Sequence, residues 1–149
     1  PYRKDLERLA AKHQVTDAVV FTGRVEHHDL PAYYAACDVF AMPCRTRRAG
    51  IDVEGLGIVF LEASAVGRPV IAGDSGGAPD AVDDGVTGVV VPDRLDVLVD
   101  ALCDLLADPA KREQMGRAGR AWVEQHWTWD VPARRYAALV EGRDPDASM

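Results

Sequence analysis

Three cysteines, Cys37, Cys44 and Cys103, are too few and too odd in number for a disulfide framework in 149 residues. They read as free thiols in a reducing compartment. The longest uninterrupted apolar runs are a handful of residues, far short of the ~18 that suggest a membrane span. The opening Tyr2-Arg3-Lys4-Asp5-Leu6-Glu7 is charged and amphipathic, unlike a signal peptide. Basic charge is also in deficit: 17 Lys and Arg against 24 Asp and Glu give −7, and no block of five or more like charges occurs. Phosphate contacts to nucleic acid need clustered Lys and Arg, so a nucleic-acid binder is disfavoured. There is no internal repeat and no low-complexity tract. What remains is 48% hydrophobic and 28% charged, the balance of a folded globular domain or a piece of one.

Short apolar runs alternate with helical patterns. Asp5 to Gln14 places Leu6, Leu9 and Ala10 on one face, which predicts an amphipathic helix. Ala18-Val19-Val20-Phe21-Thr22-Gly23 predicts a buried strand. Asp29 caps a helix through about Ala36, with Pro31 in its first turn. Residues 38–43 form a second strand, 44–56 a loop, and 57–66 a helix buried on most sides. Val70-Ile71-Ala72-Gly73 is a third strand, and 76–82 a glycine-led turn with a short helix. Residues 87–91 are a fourth strand, followed by helices over 94–107, 109–126 and 131–140. Strands apolar on both faces, alternating with helices, imply a parallel sheet covered on both sides: an α/β, Rossmann-like fold. Ligands bind such sheets at loops leaving the C-terminal strand ends, here starting at Gly23, Pro43, Gly73 and Pro92.

Asp52-Val53-Glu54-Gly55-Leu56-Gly57-Ile58-Val59-Phe60-Leu61-Glu62-Ala63 carries the most chemistry. Glycines flank the start of an apolar helix whose first N–H groups lack helical partners and sit at the positive dipole end. Glycine lets a phosphate approach them. Glu54 precedes the helix. Glu62 lies among apolar neighbours and needs a donor, for which sugar hydroxyls are suitable. Two readings fit: a site for a diphosphate with a sugar on each side, or a solvated N-terminal Glu beside a surface-facing Glu62.

Glu54, seven residues, then Glu62, followed by Gly67-Arg68-Pro69-Val70-Ile71-Ala72 and Ser75-Gly76-Gly77, resembles the nucleotide-sugar-binding domain of GT-B retaining glycosyltransferases of the large family 4. The resemblance runs from about residue 2 to 140. Within that family, Cys44-Arg45-Thr46-Arg47 and the Asp52 to Gly57 stretch look most like actinobacterial GDP-mannose-dependent mannosyltransferases acting on phosphatidylinositol mannosides. The resemblance implies that Glu54 holds the transferred sugar and that Gly55, Leu56 and Gly57 offer N–H groups to the sugar and diphosphate. It implies that Glu62 binds the ribose, and that Gly23, Arg24, Val25, Met42 and Pro43 flank the base. Ser75, Gly76 and Gly77 would lie below the donor sugar. One departure is Asp80, where many relatives have glutamate. Such enzymes retain anomeric configuration by positioning and charge stabilisation, the leaving diphosphate helping to deprotonate the acceptor. No metal or cofactor is implied beyond the substrate GDP-mannose. The alternatives are another nucleotide-sugar donor or acceptor, a GT-B-like epimerase, or a non-catalytic binding module.

Other groupings point elsewhere or nowhere. Cys37, Cys44, His27 and His28 lack zinc-ligand spacing. Asp144-Pro145-Asp146 mimics an Asp-x-Asp metal motif but sits in a polar tail. Arg45, Arg47 and Arg48 could face an anionic lipid acceptor, face the diphosphate, or simply be solvated. Trp122, Trp127 and Trp129 suit core packing or docking on a neighbouring domain. No Ser-His-Asp or Cys-His set is visible.

The resemblance also implies an incomplete domain over residues 1–141, with 142–149 a polar tail. In the implied strand order 3-2-1-4-5-6, the strand at 18–23 would be strand 3 and would lack its neighbour. Open strand edges would then favour self-association. The acceptor would bind through an N-terminal domain. A cytoplasmic location, peripheral at the inner face of the plasma membrane, goes with a glycolipid acceptor.

Overall fold

The computed structural model describes residues 2–47 and 50–145; Arg48 and Asp146, named above, lie outside the described residues. The chain divides into two compact units, residues 1–30 and 31–149.

In the first unit, α1 (Tyr2–Lys12) buries Ala10, and Arg3 lies over the Phe21 ring at 5.5 Å. The strand expected at 18–23 does not form. Thr16–Ala18 is a single 3₁₀ turn, and residues 19–26 have no regular secondary structure and no ladder partner among the described residues. Val20 is 83% exposed. An apolar run becomes a buried strand only when another strand takes up its N–H and C=O groups, and here none does.

The second unit carries the sheet. α2 (Leu30–Ala36) leads into β1 (Phe40–Met42), then α3 (Ile58–Ala65), β2 (Val70–Gly73) and β3 (Gly88–Val91). α4 (Leu95–Ala107), α5 (Pro109–His126) and α6 (Asp130–Val140) follow. The three strands pair in parallel in the order β1-β2-β3, with Phe40 opposite Val70 and Val70 opposite Gly88. The expected α/β parallel architecture is therefore present. The expectation that both faces of every strand are covered holds only for β2, which is buried throughout; β1 is a sheet edge and Ala41 is exposed.

Packing follows the apolar pattern. Ile71, Val91, Leu105 and Met115 form one buried cluster, joined by Val97, Leu98 and Leu102 of α4. Each fully buried aliphatic side chain contributes about 1.5–3 kcal/mol. α5 starts where Asp108, its N-cap, accepts from the Lys111 N–H at 2.9 Å and Pro109 fixes the first turn. Of the tryptophans, Trp122 stacks obliquely on His126 at 4.3 Å, Trp127 is half-buried, and Trp129 is 89% exposed. Among the described residues, no helix is long and apolar enough to cross a membrane.

Candidate nucleotide-sugar site at the C-terminal strand ends

All three strands point their C-terminal ends the same way, so the segments that follow them share one rim of the sheet. Two of these segments are locked by backbone contact. Gly73 ends β2, and a Cβ there would fall 1.7 Å from the Cys44 carbonyl oxygen. The Cys44 thiol donates to the Gly73 carbonyl at 3.5 Å. Burial pushes that thiol above its usual range, partly offset by its hydrogen bond to Gly73, and the nearby Glu54 charge pushes it further up.

Ser75 is the hub of the rim. Its hydroxyl is buried, 3.1 Å from Thr46 Oγ1 and 3.4 Å from the Glu54 N–H that donates to it. Gly76 has φ +57, and a Cβ there would sit 2.0 Å from the Glu54 carbonyl oxygen. Both its backbone angle and its surroundings demand glycine. Gly77 donates its N–H to the same carbonyl at 3.1 Å, and its own Cβ would meet the Gly55 oxygen at 2.1 Å. The Ser75-Gly76-Gly77 turn is thus the platform on which Glu54 and Gly55 rest, and the structure brings these sequence-predicted residues together.

Glu54 is half-buried and accepts the Gly55 N–H at 3.1 Å. Gly57 caps α3 in the left-handed region, φ 75, with no side-chain cap on the helix. The Phe60 ring occupies the space where a Cβ would stand, 2.4 Å away. No side chain caps the helix start, where the Phe60 N–H donates to the Gly57 carbonyl at 2.9 Å. Gly55 and Gly57 stand at this start and Leu56 between them is half-buried.

Glu62 is neither solvated nor merely surface-facing. It is half-buried on α3, and Tyr34 Oη donates to its Oε2 at 2.7 Å. Tyr34, 9% exposed, packs edge-on against Phe40 at 5.3 Å, and Phe40 packs edge-on against Phe60 at 6.1 Å. Burial, then the Glu62 carboxylate, raises the Tyr34 phenol to about 12. One Glu62 oxygen is thus tied to the fold. Sequence reasoning missed Tyr34, Thr46 and the role of the Ser75 hydroxyl.

Met42 ends β1 half-buried, and Pro43 follows it exposed at the rim. Arg45 reaches Asp93 at 3.7 Å, and Arg47 bridges to Asp52 through the backbone, closing a short excursion in which Gly50 has φ 93. Gly23 (φ 71), Arg24, paired with Glu26 at 3.7 Å, and Val25 belong to the first unit. Asp80 is exposed in the 3₁₀ turn Ala78–Ala81. Cys37 donates to the Tyr34 carbonyl rather than pairing with Cys44. Among the described residues, no three or more His, Cys, Asp or Glu side chains gather as a metal ion would need.

A parallel α/β sheet, a glycine-built rim at its C-terminal edge, Glu54 before α3 and Glu62 on it make up the candidate site. The family described as Glycosyl transferases group 1 matches residues 1–122, and the chain belongs to that family. It is 54% identical over 145 residues to the GDP-mannose-dependent alpha-(1-6)-phosphatidylinositol monomannoside mannosyltransferase of Mycobacterium tuberculosis, covering 97% of this chain and 38% of the relative. It is 49% identical over 140 residues to the GDP-mannose-dependent monoacylated alpha-(1-6)-phosphatidylinositol monomannoside mannosyltransferase of Corynebacterium glutamicum, covering 94% and 36%. The solved sucrose-phosphate synthase of Thermosynechococcus elongatus superposes with a TM-score of 0.82 at 32% identity, covering 95% of this chain and 34% of that one. The architecture is that of GT-B glycosyltransferases, of which the chain spans only part; it covers little more than a third of the curated relatives it matches.

Proposed function

We propose that the protein carrying this chain is a retaining hexosyltransferase that moves mannose from GDP-mannose to a phosphatidylinositol mannoside, and that this chain is its donor-binding part. The 54% identity over 145 residues to a mannosyltransferase of that specificity carries the reading. The rim geometry supports its division of labour. Glu62, aimed by Tyr34, takes the ribose diol. Glu54, braced by Ser75, Gly76 and Gly77, takes hydroxyls of the transferred sugar. Gly55, Leu56 and Gly57, at the start of α3, take the diphosphate, and Met42 and Pro43 flank the base. The reading assigns no metal or cofactor.

Catalysis on this reading is positional. The donor is pinned at both ends while the helix dipole steadies the charge that builds on the leaving diphosphate. The diphosphate oxygen then accepts the acceptor's proton as the new glycosidic bond forms on the face it leaves. Residues 1–141 would belong to a two-domain enzyme whose other domain supplies the larger part of the acceptor site. A cytoplasmic protein lying peripherally at the inner face of the plasma membrane fits a glycolipid acceptor. Calorimetry of the intact protein with GDP, UDP and their sugar nucleotides, followed by a mannolipid transfer assay, tests the reading. Preference for UDP, or transfer from UDP-glucose alone, overturns the donor assignment.

A further inference from the structure

A groove of about 420 Å³ crosses the same rim, running from the segment after β1, past Gly73, to the segment after β3. Arg45, Arg47 and Arg94 line it, against a single lining carboxylate, Asp93. In a chain of net charge −7 this is a local reversal of sign. Two of the three arginines are held by neighbours: Arg45 loosely by Asp93 at 3.7 Å, and Arg94 by Asp96. The Arg47 guanidinium has no carboxylate partner among the described residues. The groove wall also holds the start of α4, where Arg94 is the cap residue and the first-turn carboxylate of Asp96 accepts from the Val97 and Asp96 N–H groups. Leu95 and Leu98 supply an apolar wall beside the charge.

We infer that this groove is a binding site for the phosphodiester of the acceptor, an inference that rests on the function proposed above. The chemistry asks for an anion joined to carbon-rich groups. Arginine forks bond phosphate oxygens two at a time, and the leucine wall covers the adjoining ring or glycerol carbons. The donor's own diphosphate is the competing anion, but Glu54, Gly55, Gly57 and Gly76 do not line the groove. The loop bearing Thr46 turns toward Ser75 and Glu54 on one side and sets Arg45 and Arg47 in the groove. The two anion sites thus lie along one rim, with the loop between them. Sequence reasoning found Arg45 and Arg47 as a basic cluster but not Arg94, which only the parallel topology brings beside them.

The test uses the intact enzyme with two water-soluble acceptors: a deacylated mannosyl-inositol phosphodiester and the same mannosyl-inositol without phosphate. Wild type should favour the phosphodiester about tenfold or more in kcat/KM, the discrimination expected from a charge-assisted contact. In the double variant Arg47→Gln, Arg94→Gln that preference should fall to within about twofold, while KM for GDP-mannose changes by no more than about twofold. If the double variant loses donor binding through misfolding, Arg47→Lys and Arg94→Lys replace it. They should give an intermediate preference, since lysine keeps the charge and loses the fork. The inference is overturned if wild type does not discriminate, if the variants still do, or if donor KM rises in step, which would place the donor diphosphate here. It is also overturned if the variants alter transfer only on anionic vesicles, which would make the arginines a membrane contact. Those four results leave the mannosyltransferase reading standing; failure of wild type to transfer from GDP-mannose at all overturns both.

Discussion

Replacing Tyr34 with phenylalanine removes one oxygen and leaves the ring on Phe40 untouched. That oxygen donates to Glu62 at 2.7 Å. Hydrogen bonds to charged groups contribute ~1.5–3 kcal/mol when well shielded, and Glu62 is only half-buried, so about 1–1.5 kcal/mol is expected here. Two consequences separate. In the intact protein, urea unfolding of Tyr34→Phe near neutral pH should show that loss as a lower midpoint with an unchanged slope. GDP affinity should fall about five- to tenfold, because the Glu62 carboxylate is no longer held toward the diol. Combined with Glu62→Gln, the tyrosine change should add almost nothing, since both act on one contact. The alkaline limb gives an independent check. The folded phenol, at about 12 against an ordinary 10.0, holds its proton more tightly than the unfolded one. Its contribution is therefore complete below pH 10 and is lost as pH climbs from 10 through 12. Tyr34→Phe should lack that part of the alkaline slope. Equal midpoints, equal alkaline slopes and unchanged GDP affinity would refute the pairing.

Glu62→Gln should weaken GDP and GDP-mannose to a similar extent in calorimetry, since both carry the ribose; unchanged GDP affinity with lost turnover would assign Glu62 elsewhere. Glu54→Ala should cut transfer from the sugar nucleotide while leaving GDP affinity within a few-fold, and a large loss of GDP affinity would contradict that split. Gly76→Ala puts a methyl 2.0 Å from the Glu54 oxygen at φ +57, so the platform must move. About 1–3 kcal/mol of stability and most of the turnover should go, measured by thermal unfolding and transfer assay.

Much of this was readable from residue order. β2 announces itself as four apolar residues between Pro69 and the Ser75-Gly76-Gly77 turn, and it is the fully buried strand. α5 announces itself through Asp108 and Pro109. The strand expected at 18–23 failed because an apolar run reports only a capacity for burial; pairing depends on a neighbour that the run itself does not encode. The paired glutamates were visible as a spacing, but the donor that holds Glu62 was not. Tyr34 stands 28 residues away and meets it only because α2 and α3 flank the same Phe40–Phe60 stack. Arg94 escaped notice for a like reason: 47 positions separate it from Arg47, and only the β1-β2-β3 order closes that gap.

The Ser75 hydroxyl touches Thr46 on one side and the Glu54 N–H on the other. A buried hydroxyl shared in this way is a mechanical link. On the proposed function, a ligand that shifts the arginine-bearing loop should disturb the platform under Glu54, and a donor held by Glu54 should act back on the loop. Thermodynamic linkage makes such an effect reciprocal: whatever factor the donor imposes on acceptor affinity, the acceptor imposes on donor affinity. Replacing Ser75 by alanine would cut that link while leaving both sets of ligand-facing side chains in place, so the two affinities should become independent of each other. A rim built for position would then also set the order in which its substrates prefer to arrive.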